Sequence, residues 1–203
     1  MADSQLKVLT FEAFLEWERH QETRHEFVDG EILAREGGTQ AHATIQGNLL
    51  VALRSKLRGS SCRPFTSDML MRTGRGNGCY PDVTIDCGPY RGEARTASKP
   101  TVVFEVLSES TQREDLTRKL ADYNATPSIT HYVMIEQDEP LAYVYSRAHH
   151  GEFSVIPQEV KDLNAAIDLP SVAIALTMAE IYEGIEFPTD SQPQAEPRAG
   201  QTG

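Results

Sequence analysis

Residues 100–108, PTVVFEVLS, form a β-branched apolar run with one glutamate, Glu105, near its centre. Such a run reads as a buried strand. An ionised carboxylate in that setting costs several kcal/mol, or takes up a proton, unless a partner meets it. Any fold this chain adopts must therefore bring a compensating group to Glu105.

The segments around this strand alternate between helical and extended patterns. TFEAFLEWERH places Phe11, Phe14 and Leu15 at helical spacing behind a Thr10 cap. HEFVDGEIL sets Asp29-Gly30 between two short extended runs, the local signal for a tight hairpin. In HATIQGNLLVALRSKL, residues His42, Ile45, Leu49 and Leu53 share one face, which predicts a helix over about 41–58 that stops at Gly59. RPFTSDMLMR and YPDVTIDC read as strands separated by the loop GRGNG, and a polar connector runs from Gly88 to Pro100. STQREDLTRKLADYN reads as a helix with Thr111 and Glu114 at capping-box spacing, ended before Pro127. SITHYVMIE, LAYVYS and EFSVIP are three further strand candidates, with turn signals at DEP and at His149-His150-Gly151. A short helix around MAEIYEGI closes the pattern.

A length of 203 residues and 39% apolar content suit one domain with a full core, placed over 1–187. The polar, Pro/Gly/Gln-rich stretch 188–203 reads as a disordered tail. The N-terminal residues lack the apolar block of a signal peptide, and no window reaches the roughly 18–20 apolar residues of a membrane span. A soluble, cytoplasmic protein is expected. Cys62, Cys79 and Cys87 are odd in number and form no CxxC pair, which predicts reduced, partly buried thiols rather than a disulfide framework or a zinc site. A net charge of −11 argues against a general nucleic-acid coat protein. Its distribution is uneven: residues 54–119 hold twelve Lys/Arg against eight Asp/Glu, a net of +4 that leaves −15 on the rest of the chain.

Strand alternation puts Asp82 and Thr84 on one face of their strand, and Thr101, Val103, Glu105 and Leu107 on one face of theirs. If these strands are neighbours the two carboxylates converge. Close carboxylates need a shared proton or a cation, and a hard divalent ion such as Mg²⁺ suits an all-oxygen site. In the next helix Lys119 falls at the edge of the stripe formed by Leu116, Leu120 and Tyr123. Two readings are open to it: a stem lying on the core with its ammonium in water or paired with Asp115, or an ammonium aimed at the carboxylates. The other candidates have plain alternatives too. Asp82 can begin a strand or cap a turn, Glu105 can be half of a structural ion pair, His42 can be a core histidine, and Glu26 can be a cross-strand partner in its hairpin.

YPDVTID, PTVVFEVLSEST and DLTRKLADY, in this order and spacing, resemble the PD-(D/E)XK nuclease superfamily, and within it the Uma-type restriction-endonuclease family. The likeness runs from about Phe11 to Tyr182 and takes in Glu26 of the HEFVDGEIL hairpin and His42 at the start of the long helix. It implies an α/β (α+β) fold, a restriction-endonuclease-like mixed β-sheet flanked by helices, and metal-dependent hydrolysis of DNA phosphodiester bonds. By the same resemblance Asp82, Glu105 and the Val106 carbonyl hold Mg²⁺, for which Mn²⁺ substitutes. Lys119 then orients the attacking water, while His42 and Glu26 flank the ion as ligands or as holders of its water shell. The superfamily pattern wants a lysine two residues after the glutamate, where this chain has Leu107; Lys119 matches the variants in which that lysine has moved to the next helix. Arg72, Arg75, Arg91, Arg95 and Lys99 mark where a phosphate backbone is expected to approach. The competing expectation is a nuclease-fold module that binds without cleaving, as a homodimer, which the residue at position 107 and the acidic total charge favour. A third is a metal hydrolase for a small phosphorylated substrate.

Overall fold

The computed structural model describes residues 9–35, 37–107, 113–148 and 151–187. In chain order its elements are α1 (Phe11–Glu18), β1 (His25–Val28), β2 (Glu31–Ala34), α2 (Gln40–Lys56), β3 (Arg63–Thr66), β4 (Met71–Arg72), β5 (Gly78–Cys79), β6 (Val83–Asp86), β7 (Pro100–Val106), α3 (Arg113–Asn124), β8 (His131–Ile135), β9 (Leu141–Ser146), β10 (Gln158–Lys161), β11 (Ala166–Leu169), β12 (Ile174–Thr177) and α4 (Met178–Ile181). Every residue of β7 is buried, so the apolar run 100–106 is covered on both faces.

That coverage dictates the layers. Six strands form one sheet in the order β10-β9-β8-β7-β6-β3. All neighbours in it are antiparallel except β7 and β8, whose parallel pairing needs a crossover that α3 supplies. Val102, Phe104 and Val106 point to one side, where they pack with Ile45, Leu49 and Leu53 of α2 and with residues of β12 and α4. Val103 points to the other side, into a cluster with Tyr123 of α3, Tyr132 and Met71. Fully burying each such side chain stabilises the fold by about 1.5–3 kcal/mol. Glu105 lies on this second face, as alternation with Val103 requires.

A second sheet, in the order β2-β1-β5-β4, carries the hairpin. Asp29 and Gly30 take φ of 48° and 94°, the left-handed pair that a two-residue hairpin turn demands. α1 packs Phe11 and Phe14 against Phe27 of β1 and Tyr80. Thr10 and Thr39 cap α1 and α2 by accepting from the N–H groups of Ala13 and His42.

Three expectations change, and one hairpin is new. RPFTSDMLMR is two strands, because the chain turns after Thr66 (Met69 N–H to Thr66 C=O, 3.1 Å) and β4 then joins the second sheet. EFSVIP is not a strand: within it only Phe153 bridges to Arg147, and pairing with β9 begins at Gln158. The hairpin of β11 and β12 was not read, because its strands are short and one face of each is exposed. Cys62 and Cys87 are not free thiols but a disulfide, while Cys79 remains a buried thiol. Register explains the pair: Arg63 sits opposite Asp86, which brings the flanking cysteines together although 25 positions separate them. In the chain-entropy account a loop of that length contributes about 3.5 kcal/mol.

The Thr111–Glu114 capping box, the His149-His150 turn and the tail from 188 onward lie outside the described residues. Among the described residues, no helix is long and apolar enough to cross a membrane.

Candidate active site

Asp82 sits between Pro81 and the first residue of β6 and is 3% exposed. Its backbone is held by Gln46 of α2, whose Nε2 donates to the Asp82 carbonyl at 2.8 Å. Three donors meet its carboxylate. Arg35 Nη2 lies 2.8 Å from Oδ1, while His42 Nε2 at 3.1 Å and the Val106 N–H at 2.8 Å both meet Oδ2. Burial pushes this carboxyl up, yet the His42 hydrogen bond and charge, the Val106 N–H and the Arg35 guanidinium outweigh it and hold the group below its usual range. An ionised carboxylate only accepts, so His42 presents a protonated Nε2 to it. Gly38 allows that placement: a Cβ there would stand 2.7 Å from the His42 ring.

Glu105 projects from β7 one residue before Val106. Its compensation comes from two residues of α3 spaced i, i+4: Lys119 Nζ lies 3.2 Å from Oε2, and the Tyr123 hydroxyl donates to Oε1 at 2.6 Å. Burial nevertheless pushes the Glu105 carboxyl up to about 7; the Asp82 and Glu26 charges add to that rise, and Lys119 and Tyr123 oppose it. Two carboxylates on adjoining strands are thus driven in opposite directions, one ionised and one poised near neutrality.

Glu26 of β1 pairs with Arg118 of α3 across 3.4 Å, and Arg118 reaches Asp122 at 3.6 Å. Glu26, His42, Asp82, Glu105, Val106 and Lys119 all line one open cleft of about 600 Å³ between the hairpin and the large sheet. The basic groups of that cleft differ from the expected ones. Arg72 lies on Glu12 and the Phe11 ring, Arg75 faces Asp122, and Arg91 and Arg95 border separate hollows. Arg24, Arg35 and Arg118 take their place.

Sequence reading missed Arg35 and the hydroxyl of Tyr123. Each had a local signal, though for Arg35 it gives the strand partner and not the contact with Asp82. Extending the hairpin register outward by one pair sets residue 35 beside residue 24, and indeed the Arg35 N–H donates to the Arg24 carbonyl at 3.1 Å. Tyr123 stands one turn beyond Lys119 on the same helix face.

For a divalent cation the donor set fits in kind: two carboxylates and a backbone carbonyl. A strand sends the N–H and C=O of one residue off the same edge, so the Val106 carbonyl leaves β7 on the side from which its N–H meets Asp82. Both Asp82 oxygens are already engaged, and among the described residues no group of three or more His, Cys, Asp and Glu side chains is arranged to hold an ion.

Comparison with known proteins agrees with this architecture. Two uncharacterised proteins of Synechocystis sp. are similar. One, slr1290, is 28% identical over 181 residues, covering 88% of this chain and 94% of its own; the other, sll1609, is 25% identical over 175 residues, covering 83% and 96%. A crystal structure described as "a putative nuclease belonging to DUF820" from Anabaena variabilis superposes with a TM-score of 0.69 at 18% identity, covering 86% of this chain and 97% of that one, and so shares the fold. The model of the Uma2 family, described as "Putative restriction endonuclease", matches residues 11–179, and the chain belongs to that family.

Proposed function

We propose that this protein is a metal-dependent endonuclease that hydrolyses phosphodiester bonds of DNA. The observation that carries the reading is the meeting of Asp82, Glu105 and Lys119 from three elements in one cleft, with arginines along its rim. Asp82, Glu105 and the Val106 carbonyl would hold Mg²⁺, or Mn²⁺ in its place, with His42 behind Asp82 rather than on the ion because its Nε2 proton is turned to that carboxylate; such an ion polarises a phosphoryl oxygen and lowers the pKa of a bound water.

The chain's own groups do the rest. Tyr123 fixes the rotamer of Glu105 and leaves its other oxygen to Lys119. Lys119 Nζ stands where it orients a water beside Glu105 and offsets charge that develops on the phosphoryl oxygens. His42 steadies Asp82 in its ionised form. Glu26 holds Arg118 at the cleft wall, and Arg24 and Arg118 supply positive charge to the incoming backbone.

Asp82→Asn and Glu105→Gln are expected to retain the fold by circular dichroism and to lose cleavage of duplex and single-stranded DNA in Mg²⁺ or Mn²⁺. Unchanged cleavage in both variants overturns the reading. The Arg35 contact on Asp82 favours a second reading, a module that binds DNA without cutting it; salt-dependent binding with no metal-dependent cleavage by the wild type supports that one instead.

A further inference from the structure

Oδ2 of Asp82 already accepts from two donors, so a cation that takes this carboxylate comes to Oδ1, where it crowds against the positively charged Arg35 guanidinium on the same oxygen. The three donors are not equally movable. The Val106 N–H belongs to a buried strand, and His42 is held in the first turn of α2 with Gly38 against its ring. Arg35 stands past the end of β2 on a long side chain, and its other contact is the Ser67 carbonyl at 3.2 Å. Arg35 is the donor that yields.

Once displaced, its guanidinium remains in a cleft that already holds Arg24 and Arg118. A cation alone therefore meets like charge and breaks an ion pair on a buried carboxylate. A phosphodiester removes both costs, because its oxygens accept from a guanidinium in the same fork geometry that a carboxylate offers.

We propose that Arg35 couples divalent-cation binding to nucleic-acid binding, standing on Asp82 Oδ1 in the free protein and on a backbone phosphate once a cation has taken that oxygen. The inference rests on the function proposed above. By linkage each ligand then raises the affinity of the other, by a factor on the order of ten.

The test is Mn²⁺ binding measured by calorimetry for the wild type, Arg35→Met and Arg35→Gln, each with and without a phosphorothioate-linked DNA duplex that resists cleavage. Circular dichroism checks that each variant folds, and the second substitution serves if the first does not. The wild type is expected to bind Mn²⁺ on the order of tenfold tighter when the duplex is present. Removing the arginine is expected to give most of that gain without DNA and to leave little further gain on adding it. Variants that bind Mn²⁺ like the wild type, or that keep the full effect of the duplex, overturn the coupling while leaving the nuclease reading intact. If no protein binds Mn²⁺ with or without duplex, the metal-dependent reading falls and the coupling with it.

Discussion

Glu105 has one oxygen on an ammonium and the other on a hydroxyl, and burial still lifts it to about 7. The native state therefore keeps a proton on this carboxyl at pH values where the unfolded chain, with an ordinary value of 4.5, has released it. Stability must then fall as pH rises through that interval. In metal-free buffer, the melting temperature of the wild type is expected to decline from pH 5 to pH 8 more steeply than that of Glu105→Gln, which has no proton to lose. Parallel profiles contradict the assignment. Asp82 has the opposite sign, since its lowered value contributes stability that is lost only on acidification, below this window. Glu105, Asp82 and Lys119 were legible in the sequence because each sits in a periodic element whose alternation or helical phase fixes its direction. Arg35 was not, because a contact between residues 35 and 82 depends on how the hairpin closes over the large sheet.

The elements around the cleft are joined by one asparagine in the turn between β4 and β5. Asn77 Oδ1 accepts from the Asp29 N–H at the tip of the β1–β2 hairpin, and its Nδ2 donates to both oxygens of Asp122 in α3, at 3.1 and 3.0 Å. Asp122 is 1% exposed, and burial raises its carboxyl although Asn77, Arg118 and Arg75 oppose the rise. Asn77→Ala leaves a buried carboxylate short of two hydrogen bonds and an N–H without its acceptor, so a loss of about 2–3 kcal/mol in urea unfolding is expected. The same substitution loosens α3 against the hairpin and with it the Glu26–Arg118 pair; a loss under about 0.5 kcal/mol, typical of an exposed site, contradicts this. The hairpin, both long helices and β7 were readable because turn chemistry and periodicity agree there. Thr66 to Met71 and Phe153 to Gln158 misled, since each contains β-formers whose pairing is decided by which sheet has a free edge, a tertiary matter. The Cys62–Cys87 pair belongs with them, because cysteine spacing along the chain says nothing about β3–β6 register.

Across the whole molecule the charge is strongly acidic, −11, and among the described residues the Arg and Lys side chains that line the cleft are Arg24, Arg35, Arg118 and Lys119. Two of them already stand on the carboxylates of the site, Arg35 on Asp82 and Lys119 on Glu105. A phosphate backbone laid in this cleft would meet a small set of contacts on a chain whose total charge opposes it. The logarithm of DNA affinity falls with the logarithm of salt by about 0.9 per phosphate neutralised, so a shallow slope, near −2 to −3, is expected here. Position rather than total basicity should decide which arginines count. Arg24→Met is expected to flatten the slope by about 1, whereas Arg72→Met, which removes a side chain lying on Glu12 and Phe11, leaves it unchanged. Fluorescence anisotropy of a labelled duplex at several salt concentrations separates the two, and equal slopes for both variants would return the nucleic-acid path to the basic loops outside the cleft.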